Sequence, residues 1–401
     1  MYDLLLKGGT VVDPSTGLDG RHDIAIEGGR IARIAPDIPA AGAARVVDVA
    51  GKIVTPGLID LHAHVLEGVN RTGVNPDLGG VHAGVTTIVD AGSAGAATFA
   101  AFPRHILPHC QTEVIPFLHI GQTGLATMPD IVSERSIDLD DTLRVCAEYR
   151  GLIAGIKARM VSPALEIMGM EMPRLARRAA RESGLPLMVH IGDTEKRYDP
   201  GVIRQLLPLL EPGDIVTHYF TANPGGVLDA SGKLVPEARE AAARGVWLDT
   251  AHGRKNFSFE VGRRCLDQGL LPHCISTDLT VPGRVQTVHS MTEMMTRFLG
   301  LGFTLAEVVT MSTANPARAL GQAERLGSLA AGRQADVTVL ELRHGDWVVK
   351  DVLGASLRVD RCLVPHLTLK RGRLFTPDWG PRPWGWEPDR VLPPGGGGCG
   401  C

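Results

Sequence analysis

Eight short apolar runs through the middle of the chain constrain its fold more than any other feature. They occupy residues 59–65, 86–91, 114–120, 153–158, 187–191, 215–219, 246–250 and 273–278. Helix-like stretches lie between them, such as 139–149, 174–183 and 236–244. Parallel strands need long crossover connections, usually helices, so this rhythm specifies a parallel sheet. Eight such units over roughly 270 residues match the size of a (β/α)8 TIM-like barrel. An open doubly wound sheet is the alternative, but eight strands is long for one. Barrel enzymes place their chemistry at the C-terminal ends of the strands, so those ends deserve the closest reading.

The flanks read differently. Residues 4–7, 10–12, 23–27, 30–34 and 45–48 form short strands of a small antiparallel sheet, separated by turn signals such as Gly8-Gly9 and Gly28-Gly29. After helices at 291–299 and 305–312, strand character returns at 335–340, 355–359 and 365–369, with Arg371-Gly372-Arg373 as a turn. The expected organisation is a composite β-sheet domain from residues 1–52 and 325–375, a barrel over 53–324, and an irregular Pro/Gly/Trp-rich tail over 376–401.

A net charge of -3, with no basic arm, favours neither nucleic acid nor an anionic membrane as partner. No apolar stretch approaches a membrane span, and the first residues lack a signal-peptide pattern. Seven scattered cysteines suggest a reducing, cytoplasmic setting, with Cys399-Gly400-Cys401 read as part of the tail.

The strand ends carry a pattern. Strand one leads into Asp60-Leu61-His62-Ala63-His64, and alternate residues of a strand share a side, so two imidazoles face one point. Strand four holds Lys157 and then Arg159. Strand five ends in His190, strand six in His218 and strand eight in Asp278. One histidine at a strand end is ordinarily a hydrogen-bonded structural residue. Matching positions on several strands point instead to metal ligation, for which neutral imidazole is the commonest protein ligand. Lys157 would be costly to bury as an unpaired ammonium. Burial and nearby metal charge favour the neutral amine, which can take up carbon dioxide as a carbamate and bridge two ions. A lysine paired with Asp278 is the alternative, and spacing does not separate the two.

In order and strand placement, His62-Ala63-His64, Lys157, His190, His218 and Asp278 resemble the binuclear metal-dependent amidohydrolase superfamily. Gly51-Lys52-Ile53-Val54-Thr55-Pro56-Gly57-Leu58-Ile59-Asp60 is similar to that superfamily's lead-in to the barrel. Gly327-Ser328-Leu329-Ala330-Ala331-Gly332-Arg333-Gln334-Ala335-Asp336 is similar to its return to the small sheet, and Ser312-Thr313-Ala314-Asn315-Pro316-Ala317 fits its late helix. The resemblance implies two divalent ions, zinc-like, bridged by a carboxylated Lys157. It assigns His62 and His64 to one ion and His190 and His218 to the other. Asp278 ligates the first ion and moves the proton of the attacking hydroxide to the leaving group. Two ions about 3.5–4 Å apart lower the pKa of a shared water to roughly 7. An N-cap role for Asp278 is a poor alternative, because Leu279-Thr280-Val281-Pro282 does not read as helix.

Lys157-Ala158-Arg159 and the segment Asp249-Thr250-Ala251-His252-Gly253 also resemble a narrower branch, bacterial deacetylases acting on acetyl esters of 2-hydroxy acids such as acetyl-(R)-mandelate. That branch usually has glycine where Ala251 stands. The expected activity is therefore deacetylation of a small acylated substrate. Arg159 stabilises an oxyanion or clamps a carboxylate, or else forms an ion pair at the rim. His252, Tyr219 and Asn223 are candidate substrate contacts by position, although His252 fits a packed rim residue nearly as well. An N-acyl amino acid amidohydrolase would use the same metals. A cyclic amidase fits less well, because dihydroorotase-like enzymes carry an arginine just after the second histidine, where Val65, Leu66 and Glu67 stand here. Deaminase-like relatives use a His-x-x-Glu element, against His190-Ile191-Gly192-Asp193. A non-catalytic scaffold would be expected to lack several of the six ligands, and none is missing. Superfamily members are often homo-oligomers, which is the expectation here. His82, His105, His109, His119, His273 and His289 have no partner at metal spacing, and Asp90 has no ligand role in the pattern.

Overall fold

A computed structural model describes residues 1–377; the tail from 378 onward, with Cys399 and Cys401, lies outside the described residues. Seven parallel strands form the barrel wall in the order of the chain. They are β6 (Leu58–Ala63), β7 (Val85–Ala94), β8 (Glu113–His119), β9 (Ile156–Arg159), β10 (Leu187–His190), β11 (Ile215–Thr217) and β12 (Trp247–Asp249). The eighth run, expected as a strand at 273–278, occupies the closing position without a regular ladder. It bridges β12 at Asp249–Cys274 and β6 at Ala63–Leu279. Two features break its ladder. Asp278 has φ 52, outside extended geometry. The Thr277 amide donates to the Asp60 carboxylate (3.0 Å) rather than to a strand carbonyl. The barrel still closes, through Asp278 N–H to His62 C=O (2.7 Å) and His64 N–H to Leu279 C=O (3.0 Å).

The second sheet joins both ends of the chain: β1 (Leu4–Asp13), β2 (Leu18–Glu27), β3 (Arg30–Ala35), β4 (Val46–Asp48), β5 (Ile53–Pro56), β13 (Val337–Lys350), β14 (Ser356–Lys370) and β15 (Arg373–Phe375). It corrects the sequence reading in four places. The sheet is mixed rather than antiparallel, since β4 and β5 both return alongside β1 in the same direction. Gly8-Gly9 is a bulge within one strand, not a turn between two. A Cβ at Gly9 would sit 2.6 Å from Val54, so the bulge lets β5 approach closely. Residues 53–56 pair with β1 and β13, which makes them part of this sheet. The barrel begins at Leu58, after Gly57, where a Cβ would meet Thr86 at 2.2 Å. Finally, β13 and β14 form one long antiparallel pair, extending through 341–350, where polar residues such as Glu341 and Asp346 hide the strand pattern.

Helices form where their caps predict. Asp138 caps Leu139–Glu148 through the Asp141 amide (3.0 Å), and Thr304 with Glu307 makes a capping box for Leu305–Ser312. One helix was not expected: Val281–Gln286, with Pro282 in its first turn and the Thr280 hydroxyl accepting from Gly283 N–H at 3.1 Å. Thr280, not Asp278, is its cap. The outward faces of the strands (Leu58, Ile88, Leu118, Ile156, Leu187, Val216) pack against the helical layer. Leu6, Ile24, Val54, Val337 and Leu369 form the separate core of the sheet. No helix among the described residues is long and apolar enough to cross a membrane.

Candidate metal centre

The six residues singled out from the strand ends meet at the C-terminal rim of the barrel. The His62 and His64 ring centroids are 5.4 Å apart, those of His62 and His218 4.9 Å, and those of His190 and His218 4.1 Å. His62 Nε2 and His64 Nε2 lie 3.4 and 3.2 Å from Asp278 Oδ1, and His218 Nε2 lies 4.0 Å from Asp278 Oδ2. Lys157 Nζ is 3.4 Å from His62 Nε2 and 3.3 Å from the Met188 sulfur. No carboxylate among the described residues lies within 4.0 Å of that amine, so the pairing of Lys157 with Asp278 does not form.

The backbone is bent to achieve this. His218, Ala251 and Asp278, on three successive segments of the wall, all have positive φ, at 70, 30 and 52°. Each such residue costs about 1–2 kcal/mol when it is not glycine. In an extended strand Thr217 and His218 would face opposite ways. The left-handed turn at His218 lets both reach His62: the Thr217 hydroxyl lies 2.8 Å from its Nδ1, and the His218 ring packs beside it. Glycines give the room. A Cβ at Gly92 would sit 2.6 Å from the Lys157 Cβ, and one at Gly253 2.1 Å from Asp278 Oδ2.

Burial sets the protonation states. It pushes His62 and His190 well below their ordinary value, and His218 to about 4, with the neighbouring cations adding to the effect. Burial likewise lowers Lys157 to about 7, against the partly opposing field of Asp278. Burial raises Asp278, but the His64 hydrogen bond and the charges on His218, His64 and Lys157 outweigh it and hold the carboxyl below its usual value. His62, His190 and His218 thus favour the neutral form, beside a readily neutralised amine and a carboxylate. His190 Nε2 and His218 Nε2 are buried with no hydrogen-bond partner. An orphaned buried polar atom costs about 1–3 kcal/mol. Ligand atoms of His62, His218 and Asp278 all lie within 4.8 Å of one another. Lone pairs aimed together beside a carboxylate fit a divalent metal of the zinc type.

The substrate candidates separate. Arg159 Nη1 donates to Asp130 Oδ1 (3.0 Å), while nothing among the described residues accepts from its Nε or Nη2. Asp130 also lies 3.1 Å from His119 Nε2. Since His119 Nδ1 accepts from Gly121 N–H (2.9 Å), its proton is on Nε2, facing Asp130. The expectation that His119 stands alone is therefore corrected. Its signal was visible, a histidine closing strand three as His190 closes strand five, whereas Asp130 sits in a loop without pattern. His252 is fully buried, stacked on Phe257 at 20° with centroids 4.6 Å apart, and its Nε2 has no partner. Asn223 ties its loop to the next through Lys255 C=O (2.9 Å) and Asn256 Oδ1 (3.1 Å). Tyr219, expected to wall the site, is buried in the outer core against Phe220, with its hydroxyl near Leu270 C=O. Normal strand alternation past the bend carries it outward. Asp90, set aside in the sequence, accepts from Val65 N–H and Ser93 N–H at 2.7 Å each, and so shapes the rim beside His64.

The model of the amidohydrolase family matches residues 53–367. A deacetylase of Agrobacterium fabrum is 33% identical over 348 residues, covering 86% of this chain and 84% of its own. A crystal structure of an adenine deaminase superposes with a TM-score of 0.85 at 28% identity, covering 94% of this chain and 100% of that one. A dihydroorotase structure gives 0.82 at 31% identity, covering 93% and 99%.

Proposed function

This chain belongs to the amidohydrolase family, and on that premise we propose that it is a two-metal deacetylase cleaving an acetyl ester of a small 2-hydroxy acid. The observation that carries the reading is the meeting of His62, His64, His190, His218, Lys157 and Asp278 at one rim, with buried imidazole nitrogens left without protein partners. His62, His64 and Asp278 would hold one ion, His190 and His218 the other, and a carbamate on Lys157 would bridge them. Two divalent ions there, zinc as first choice, would polarise the scissile carbonyl and bring a water's pKa near neutrality.

The remaining steps belong to the chain. Asp278 is an ionised carboxylate at the rim, its side chain 15% accessible, so it can take the proton of the attacking water. It then returns that proton to the oxygen of the departing 2-hydroxy acid as the acyl C–O bond breaks, and acetate is released. Arg159 is fixed at Nη1 by Asp130, which leaves Nε and Nη2 free for a bidentate grip on the substrate carboxylate. His252, in the loop after β12, is buried against Phe257 with its Nε2 unpartnered, and we assign it to the wall of the site. The relatives named deacetylase support the acetyl group; the arginine supports an acid substrate.

The same apparatus can open an amide, and the likeness to a dihydroorotase structure favours a cyclic amide as the second reading. Metal analysis and a substrate panel test the proposal. Two divalent ions per chain, and faster hydrolysis of acetylated 2-hydroxy acids than of N-acetyl amino acids or cyclic amides, are expected. Less than one ion per chain, with no esterase activity after zinc or manganese addition, would sink it, and faster amide turnover would shift it to the second reading.

A further inference from the structure

His62, on β6, and His64, just beyond it, each have a hydroxyl behind the ring. His62 Nδ1 lies 2.8 Å from the Thr217 hydroxyl, which itself donates to Asp249 Oδ2 at 2.7 Å. His64 Nδ1 lies 3.0 Å from the Ser93 hydroxyl. That hydroxyl accepts from Asn70 Nδ2 at 3.4 Å, and the Asp90 carboxylate takes the Ser93 amide instead, at 2.7 Å. The first arrangement runs from a buried carboxylate through a hydroxyl to an imidazole. Asp249 and Thr217 are both fully buried.

The order of donors follows from chemistry. An ionised carboxylate only accepts, so the Thr217 hydroxyl spends its one proton on Asp249. The Ser276 hydroxyl is a second donor to Asp249, 2.7 and 2.8 Å from its two oxygens. The Thr217 oxygen then has only lone pairs for the ring, and His62 Nδ1 must carry the hydrogen. Nε2 is left as the sole lone pair of His62, and it is Nε2 that lies beside Asp278. His218 reaches the same state through a backbone carbonyl, Ala251 C=O at 2.7 Å, which no side-chain substitution removes.

We propose that Thr217 is a positioning residue that fixes the tautomer of His62, through the chain Asp249–Thr217–His62. The inference rests on the metal-ligand reading given above. Without its hydroxyl acceptor, a buried imidazole favours the tautomer with hydrogen on Nε2, which cannot take a cation. The effect is selective, because the relay serves a histidine assigned to one ion only. Partners of this outer kind typically change metal affinity by about 10- to 100-fold.

The test is cobalt(II) titration of metal-free protein, read by visible absorption and by competition with a chelator, alongside the melting of the metal-free protein. The wild type should bind two cobalt ions. Thr217→Val should weaken one site by about 10- to 100-fold and leave the other unchanged. Thr217→Ser, which keeps the hydroxyl, should bind as the wild type does. Wild-type affinity in Thr217→Val would overturn the relay while leaving the metal reading intact. So would equal weakening of both sites, or a Thr217→Ser variant as weak as Thr217→Val, since packing alone would explain them. If Thr217→Val does not fold, Thr217→Ala decides by the same readout. A wild type that binds no cobalt overturns relay and metal reading together.

Discussion

The two ends of the barrel both bury charged side chains, and they balance them in opposite ways. At the N-terminal end, Glu113 opens β8 and meets Lys370 at 2.8 Å and Arg325 at 2.5 Å, while Lys370 also bonds Asp336 at 2.7 Å. Two carboxylates and three cations, with Arg371 Nη2 3.7 Å from Glu113 as the third, close on one another across the boundary between barrel and sheet. At the C-terminal end, Lys157 has no carboxylate partner, and His190 and His218 leave Nε2 atoms unpartnered. The first cluster is complete within the chain and holds the sheet to the barrel. The second is complete only with something from outside. At the rim it is the convergence of unsatisfied imidazoles beside an unpaired amine, rather than burial or charge alone, that marks the site.

The largest expected effect breaks the comparison at the rim. Lys157→Met should abolish hydrolysis and drop metal content, a loss beyond the 10- to 100-fold typical of outer-shell changes. The same variant should leave the metal-free protein at least as stable as the wild type, because an unpaired buried amine is replaced by an apolar chain of similar length. A Lys157→Met protein with full metal content would remove the carbamate bridge. One that loses several kcal/mol of metal-free stability would show that Lys157 holds the fold instead.

The converse applies at the junction. Lys370→Met leaves Glu113 and Asp336 short of a buried partner and should cost about 3–5 kcal/mol. Turnover per folded molecule should be unchanged, since the change lies at the opposite end of the strands. Denaturant melts and activity normalised to the folded fraction check both halves, and a fall in normalised activity would couple the two ends.

Acid sharpens the contrast further. Burial pushes the Glu113 carboxyl up, but Arg325 and Lys370 more than reverse this and hold it at about 2 against an ordinary 4.5. A depressed carboxyl binds its proton less readily in the folded protein, so its contribution is complete above pH 4.5 and fades between there and about 2. The shift corresponds to on the order of 3 kcal/mol, comparable to breaking the pair by mutation. Glu113→Gln should lower stability at neutral pH and flatten its decline across that window. An equally steep acid limb in the variant would place the titration elsewhere.

How far the sequence reaches follows from these same residues. The barrel was legible because strand and helix lengths repeat eight times, the histidines and Asp278 of the rim because each sits at a strand end, and Lys157 because it is a lysine within an otherwise apolar strand. His119 was legible by the same rule. Other features depend on backbone geometry that side-chain pattern does not encode. The left-handed turn at His218 puts Thr217 at His62 and sends Tyr219 outward, the reverse of its expected role. Asp130 reaches Arg159 from a loop, so its partnership comes from tertiary contact alone. The sheet was misread where a bulge imitates a turn at Gly8-Gly9, and where polar residues of β13 face solvent.

The smallest effect concerns that backbone geometry. Ala251 has φ 30 at a position where the resembling deacetylase branch usually has glycine. An alanine there carries strain of about 1 kcal/mol that glycine would not, while glycine adds about 0.5–1 kcal/mol of unfolded-chain entropy. The two nearly cancel, so Ala251→Gly should change stability by less than about 1 kcal/mol. Its carbonyl, which accepts from His218 Nδ1 at 2.7 Å, remains in place, so metal binding should hold. The corresponding left-handed residue at the junction is Arg371, φ 51, whose amide bonds Asp336 at 2.9 Å. Arg371→Gly tests the same backbone balance where no metal is involved, with the loss of an exposed guanidinium adding little. A loss of 2 kcal/mol or more in Ala251→Gly alone would mean that the Ala251 methyl, rather than its backbone, supports the rim.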